Sequence, residues 1–450
     1  MVPDRQAFIF CPINPSLYNL AEAEDTMVSI LDLPNELLTH IVGYLIQQQD
    51  ILAFNRSSKC LHHNSTKALY TNITLHCING AAMQGLLTNL LRYTALQKHV
   101  RRIRIVPFER TGMTSVEGEA ESEGSPFHIL VKDAVDAISA TGLLDDDPCF
   151  KRSWVDLVLK NDLDARLALV LSTVPRLQGL VIGTQNNPRY CNALTRLVLK
   201  SPVHHALKNL GELGLVPRYA TSRWLLLPSI WKLDIPSGVF APSLHSAMFL
   251  PNVQDLTLRS GVDYWFLHHV STLKRLAIQS NHIPLHLQEV IRFLHHSKQT
   301  LHSLEFVFQS YNLSPDRKLA VLSLQSFMSL QYIKMDGWVL LGNTFSEGLV
   351  AKLPRAVAEL DLRFVQWQSS ARGSQNPSKL LPHLNELLLA RQSGSFPGLA
   401  KITFRFRRTV RKHPLQTYLG DKLFSLSDEF AKCGVRFQCV YLSEYEWARS

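Results

Sequence analysis

One short string, spaced apolar-x-x-apolar-x-apolar, returns along most of this chain and restricts its fold more than any other feature. It stands at Val100-Ile103-Ile105, Leu177-Leu180-Ile182, Leu210-Leu213-Leu215, Ile230-Leu233-Ile235, Val253-Leu256-Leu258 and Leu273-Leu276-Ile278. It continues at Leu301-Leu304-Phe306, Leu330-Ile333-Met335, Val357-Leu360-Leu362, Leu384-Leu387-Leu389 and Leu399-Ile402-Phe404. The last two apolar residues of each string fall on one side of a short strand, because side chains alternate along a strand. Apolar residues at helical spacing run between several strings, over Leu86 to Lys98, Asp164 to Val174, Leu285 to His296 and Tyr418 to Ala431. From Leu180 to Ile402 the steps average about 25 residues, with single steps from about 15 to 33, as in stacked structural repeats. Strand, turn and helix repeated in this way stack into a parallel sheet lining the concave side of a solenoid, with helices outside. The expected fold class is α/β. An ordinary α/β domain whose strands happen to begin with leucine is the alternative, and the sequential order of the strings weighs against it.

The chain of 450 residues exceeds the usual limit of a single core, which calls for several domains or one elongated array. It is 46% hydrophobic and 19% charged, a globular rather than a disordered composition. Cys11, Cys60, Cys77, Cys149, Cys191, Cys433 and Cys439 are scattered, odd in number and contain no Cys-x-x-Cys pair. They read as free thiols in a reducing compartment, with neither a disulfide framework nor a zinc site. Met1 to Leu20 lacks the basic start and continuous apolar run of a signal peptide, and residues 1–28 read as a loose leader. No stretch approaches the roughly 18 apolar residues of a membrane span, so a cytoplasmic or nuclear protein is expected. The sequons at Asn55, Asn64, Asn72 and Asn312 are then chance matches. A locally acidic, apolar-poor stretch near 109–126 and a polar one at 369–378 read as surface loops.

Ahead of the array lies a different pattern. Pro34 suits the first turn of a helix, where its missing N–H has no intrahelical partner. A helix is expected from about Pro34, with Leu37, Ile41 and Leu45 on one row and Leu38 and Val42 on the next. Asp50 opens a second short helix through Ile51-Leu52-Ala53-Phe54, and Ser57 or Ser58 can cap a third carrying Leu61, Ala68 and Leu69. Three such helices are too small to hide all these leucines, since a chain below about 40 residues rarely buries enough to fold alone. The excess apolar surface argues for docking onto another protein.

The run Leu-x-Leu-Pro-x-Glu-Leu-Leu-x-x-Ile-x-x-Tyr-Leu at Leu31 to Leu45, then Asp50-Ile51-Leu52, Ser58-Lys59-x-Leu61 and Leu69-Tyr70-x-x-Ile73-Thr74-Leu75, resembles the F-box in the form common in fungal proteins. The resemblance covers about a tenth of the chain, residues 29–75. It implies that Leu33, Pro34, Leu37, Ile41, Leu45, Ile51 and Leu52 pack against the Skp adaptor of a Skp-cullin-F-box ubiquitin ligase, bringing cullin and RING subunits with it. The stretch His62-His63-Asn64-Ser65-Thr66 is more polar than in most relatives. A three-helix cap on the solenoid is the plain structural alternative. Residues 76–450 resemble the degenerate leucine-rich-repeat-like solenoids of F-box proteins, with the asparagine that normally closes each repeat mostly absent.

In such a solenoid the residues between the buried leucines face the partner. Arg259, Arg275, Tyr332, Lys334, Arg363, Arg405, Arg407 and Arg408 are the candidate substrate contacts, the last three within a basic cluster that reaches His413. Such a cluster fits an acidic or phosphorylated segment through charge-assisted hydrogen bonds, or is a solvated basic edge. Net charge of +10 without a zinc finger, recognition helix or RNA-reading aromatic motif does not amount to a nucleic-acid binder. No phosphate-cradling glycine loop, nucleophile elbow or His-Glu-x-x-His occurs. The histidine pairs 62–63, 204–205, 268–269 and 295–296 place adjacent rings about 100° apart on a helix, a poor arrangement for chelation. The expectation is a substrate-recognition subunit without catalysis, cofactor or metal of its own; a non-ligase F-box scaffold is the alternative.

Overall fold

A computed structural model describes residues 30, 33–45, 48–76, 80–106, 131–140, 147–160, 162–183, 207–215, 227–235, 252–259, 267–268, 270–280, 287–308, 321–342, 348–364, 380–407 and 415–443. The chain divides into two units, Met1–Leu69 and Tyr70–Ser450.

The first unit is built on α1 (Asn35–Tyr44), α2 (Gln48–Ser57) and α3 (Lys59–Thr71). Pro34 is extended, with ψ 146°, and caps α1 from outside, so the helix starts one residue later than its proline suggests. The Pro34 carbonyl accepts from the N–H groups of Leu37 and Leu38. Ser58 caps α3, its Oγ accepting from Leu61 N–H at 3.1 Å. Leu38, Val42 and Leu61 are the buried apolar centre. The polar stretch of α3 has a structural task. Asn55 Oδ1 meets His62 Nδ1 at 2.9 Å, and Asn55 Nδ2 donates to the hydroxyl of fully buried Ser65 at 2.9 Å. Asn64 Nδ2 reaches Asn35 Oδ1 at 2.9 Å. These bonds tie α2 and α1 to α3, doing with polar groups what a larger core does by packing.

The second unit is an α/β array whose twelve strands form one open, all-parallel sheet in chain order. They are β1 (Asn72–His76), β2 (Arg102–Val106), β3 (Gly179–Ile182), β4 (Glu212–Leu215), β5 (Lys232–Ile235) and β6 (Asp255–Arg259). Then come β7 (Arg275–Ser280), β8 (Ser303–Phe308), β9 (Tyr332–Asp336), β10 (Glu359–Phe364), β11 (Lys401–Arg407) and β12 (Arg436–Leu442). The helices between them are α4 (Gly80–Arg92), α5 (Thr94–Gln97), α6 (Val131–Ala140), α7 (Pro148–Leu159), α8 (Leu163–Thr173), α9 (Leu287–Phe293), α10 (Gly337–Leu341), α11 (Leu380–Gln392) and α12 (Leu415–Lys432).

Register aligns the repeating strings. Ile103 pairs with Leu180, Leu180 with Leu213, Leu213 with Leu233, and the row continues through Leu256, Leu276, Leu304, Ile333 and Leu360 to Ile402. These residues join the helices in one continuous buried core. Several strings are preceded by a tight turn that sets a further buried residue three positions earlier. The N–H of Leu177, Leu210, Ile230, Leu330 and Leu399 bonds to the carbonyl of Val174, Leu207, Leu227, Phe327 and Phe396 respectively.

The missing asparagines have a substitute in these turns. In six successive units the residue just before the first apolar one is Asn, Ser or Thr, and its side chain donates to a backbone carbonyl of the preceding unit. Asn209 reaches Pro175 O at 3.0 Å, Ser229 Leu210 O at 2.7 Å and Asn252 Pro228 O at 2.7 Å. Thr272 reaches Val253 O at 3.0 Å, Thr300 Leu273 O at 2.9 Å and Ser329 Gln299 O at 2.6 Å. Carbonyls that a turn leaves without a ladder partner are thereby satisfied.

Three expectations need correcting. Leu384-Leu387-Leu389 is not a strand: it lies in α11, where Leu384 and Leu387 are buried and Leu389 is 65% exposed. Strand β12 was hidden because Gly434 occupies the place of the string's first apolar residue, and β1 because Tyr70 occupies it. Asn72–His76, expected with the N-terminal helices, pairs with β2 and belongs to the sheet unit. Asp147 caps α7 by accepting from Phe150 N–H at 3.0 Å. The loops near 109–126 and 369–378 lie outside the described residues.

Candidate interaction surfaces

In the three-helix unit, burying Leu38 and Val42 turns the neighbouring row of α1 outward. Leu37 is 49% exposed and Tyr44 71%, and Leu52 of α2 and Pro34 are also exposed. Leu33, Ile41, Leu45 and Ile51 are half-buried. Every residue expected to meet an adaptor therefore retains solvent-accessible surface, and none belongs to the buried centre. Tyr44, one turn beyond Ile41 on the same row, joins them. Its hydroxyl lies 3.2 Å from His40 Nε2, and the two rings meet edge-on at 5.0 Å. The helical period from Leu37 and Ile41 would have pointed to Tyr44 as well.

The sheet unit has its own candidate, the strand face opposite the core. Along β2 and β6 the burial alternates, leaving the first, third and fifth residues on this open face. From β5 to β11 most of its described cations are held by carboxylates on neighbouring strands. Arg259 grips Asp234 with Nε at 2.9 Å and Nη2 at 2.7 Å. Arg275 Nη2 lies 2.8 Å from Glu305 Oε1, and Lys334 Nζ 3.8 Å from the other Glu305 oxygen. Lys401 Nζ lies 3.2 Å from Glu359. Arg405 Nε and Nη2 each lie 2.8 Å from an Asp361 oxygen. Tyr332 stands among these groups. The expected contacts Arg259, Arg275, Lys334 and Arg405 are thus cations with partners already in place. Arg363 is only 1% exposed and enclosed by the fold, opposite fully buried Asp336 in the ladder. The side chain of Arg407 and all of Arg408 lie outside the described residues.

Burial shapes the electrostatics here. Desolvation pushes the Tyr332 hydroxyl up to about 12, and the carboxylates of Glu305 and Asp361 add to the rise. Desolvation lowers the Lys334 ammonium, against the pull of Glu305 and Asp361. The Asp255 carboxyl is raised by burial, opposed by Arg275 and Lys232. The hydrogen bonds that Arg259 and Arg405 donate to the carboxylates of Asp234 and Asp361 raise both guanidinium groups. The arrangement is a cross-strand charge network with its members mutually satisfied.

At β2–β4 the face differs. Arg102 of β2 reaches over β3 to Glu212 of β4 at 2.9 Å. It can do so because β3 has Gly179 at that register, where a Cβ would sit 3.0 Å from Arg102 Cγ. Beside it Arg104 is exposed, and among the described residues it makes no ion pair or side-chain hydrogen bond.

Among the described residues no group of three or more His, Cys, Asp or Glu side chains could hold a metal ion. His295 and His296 have ring centroids 5.6 Å apart and meet edge-on; His204, His205 and His269 lie outside the described residues. Cys60, Cys149, Cys433 and Cys439 are free thiols, and burial raises that of Cys439 to about 12. No described helix is long and apolar enough to cross a membrane. No protein-family model matches the chain, and no curated protein matches it in sequence.

Proposed function

We propose that this chain is the substrate-recognition subunit of a Skp-cullin-F-box ubiquitin ligase. The exposed apolar row on the three-helix unit carries the reading. Leu37, Tyr44 and Leu52 stand in solvent beside half-buried Ile41, Leu45 and Ile51, within a run whose Pro, Glu and Leu spacing resembles the F-box. Contiguous exposed apolar side chains of this kind mark protein-binding sites. The adaptor would cover the row and bring cullin and RING subunits, while the sheet unit holds a protein substrate. The chain needs no chemistry of its own for this. Holding a lysine-bearing substrate near a charged conjugating enzyme raises its effective concentration and makes transfer in effect intramolecular.

Replacing Leu33 and Pro34 together with Ala tests the proposal in a pull-down with the Skp adaptor and cullin. Adaptor and cullin should both be captured by the unaltered chain and lost from the variant, with an unchanged circular dichroism spectrum. Undiminished capture by a folded variant would overturn the adaptor site. Capture of the adaptor without cullin would overturn the ligase role and leave an F-box scaffold.

A further inference from the structure

The charge network makes its exception informative. On β5–β11 the described open-face cations are occupied by carboxylates or enclosed. On β12 the side-chain oxygen of Gln438, in its hydrogen-bonding orientation, accepts from Arg436 Nε and Nη2 at 2.8 Å each. Lys232 interacts with Asp255. Arg104 alone among the described open-face arginines has no such partner. Next to it in register stands Val181, which is 37% exposed, then Gly214, then Asp234. Gly214 leaves the space beside Val181 open, since a Cβ there would already press on both Val181 methyls at 3.3 Å.

The acids bordering this strip do not repel an incoming anion at full strength. Asp234 is neutralised by both arms of Arg259, and Glu212 by Arg102. The Arg102 side chain is itself 55% exposed and uses only Nη2 on Glu212, so its remaining N–H groups face solvent. An uncommitted arginine, a second half-committed one and an exposed valine over a glycine step form a complementary surface. It fits a carboxylate next to an aliphatic side chain.

We infer that the open face of β2–β4, centred on Arg104 and Val181, binds an extended acidic segment of a partner protein in which a glutamate or aspartate and an apolar residue stand two positions apart, on the same side of the segment. A carboxylate takes the free guanidinium of Arg104, and an apolar neighbour lies on Val181 above Gly214. Strands are about 4.8 Å apart and same-side residues of an extended peptide about 7 Å, so one carboxylate and one apolar contact span β2 to β4. Charge-assisted pairing gives the sign preference and the valine contact the affinity. On the ligase reading this is where a substrate is held; the surface itself does not depend on that reading.

The test uses the full chain and a fluorescein-labelled peptide of repeating Glu-Ser-Leu-Ser, which puts glutamate and leucine on one side when extended, followed by fluorescence anisotropy without adaptor or cullin. Binding should weaken about tenfold with Arg104→Glu and with Val181→Asp, and stay unchanged with Lys274→Glu, an exposed lysine in the turn before β7. The same peptide with glutamine in place of glutamate should bind at least about fivefold more weakly, and added salt should narrow that gap. Arg104→Gln, which keeps the side chain's size, covers the case in which Arg104→Glu fails to fold. No binding of the glutamate peptide, equal binding of the glutamine peptide, or full affinity in folded Arg104→Gln would overturn the inference. Because the assay contains no ligase subunit, its failure leaves adaptor capture untouched, and failed adaptor capture leaves this surface untouched.

Discussion

The two units treat solvent in opposite ways. In the three-helix unit large apolar side chains stay outside: Leu37 and Tyr44 are exposed while polar Ser65 is buried. In β8–β11 of the sheet unit the reverse holds, and the carboxylates of Glu305 and Asp361 are themselves buried, at 7% and 6%. The contrast follows from size. Three short helices have more leucine than interior, and they close partly with hydrogen-bonded Asn, His and Ser. Twelve strands with helices on one side have interior to spare for their leucines, and the opposite side is dense enough to hold paired charges. Exposed apolar surface in the first unit is surplus and calls for a partner. Buried charge in the second is internal structure, and its cations have lost much of their freedom to bind elsewhere.

Side-chain deletions sharpen this contrast. Leu38→Ala, at a fully buried position, should cost about 3 kcal/mol in the three-helix unit. Leu37→Ala, one residue away and half in solvent, should stay within about 0.5 kcal/mol. Hydrogen exchange of the α1–α3 amides in the full chain reads both; equal losses would mean that α1 does not turn the two residues to opposite environments. Asp361→Ala is expected to be next in size. It leaves the Arg405 guanidinium without its bidentate acceptor in a largely buried setting, at a cost of about 2 kcal/mol in denaturant unfolding. If stability does not fall, the network is surface decoration and its arginines are free for partners after all.

The smallest effect is a pH dependence. Tyr332 ionises at about 12 in the fold against 10.0 when exposed, so the folded state favours the neutral phenol. Its contribution is fully present below pH 10 and is lost as pH rises from 10 towards about 12. Unfolding midpoints across that window should fall less steeply in Tyr332→Phe than in the unaltered chain. Indistinguishable slopes would place Tyr332 in solvent rather than among Glu305, Asp361 and Arg405.

Much of the array was legible because the repeating string reports a local rule, alternation over a core. That rule misled where another rule produces the same letters. Leu384, Leu387 and Leu389 satisfy the strand string, but Leu380, Leu384, Leu387 and Leu388 also line a buried helical face, and the helix prevails. It stayed silent where glycine or tyrosine replaced the leading aliphatic, at Gly434 and Tyr70. The charge network was beyond reach for a different reason. Arg405 and Asp361 are 44 residues apart, and only the register of β10 on β11 brings them together. Sequence reading named Arg259, Arg275, Lys334 and Arg405 as free to meet a partner, without showing that each is paired to a carboxylate on a neighbouring strand. The outward row of α1 was legible from its period, whereas the Asn55–Ser65 and Asn35–Asn64 ties across helices were not.

The stitched turns set a rule for length. From Asn209 to Ser329 each stitch spans back to the unit before it, at the rim where chains enter their strands. A residue added there would lift the donor off its carbonyl and shift the string that follows to the wrong face. Spacing between strands is far less regular outside these units: more than 70 residues separate the end of β2 from the start of β3, and 36 separate the end of β10 from the start of β11. The entry turns of the stitched units therefore act as a fixed gauge, which tolerates a changed side chain more readily than a changed length.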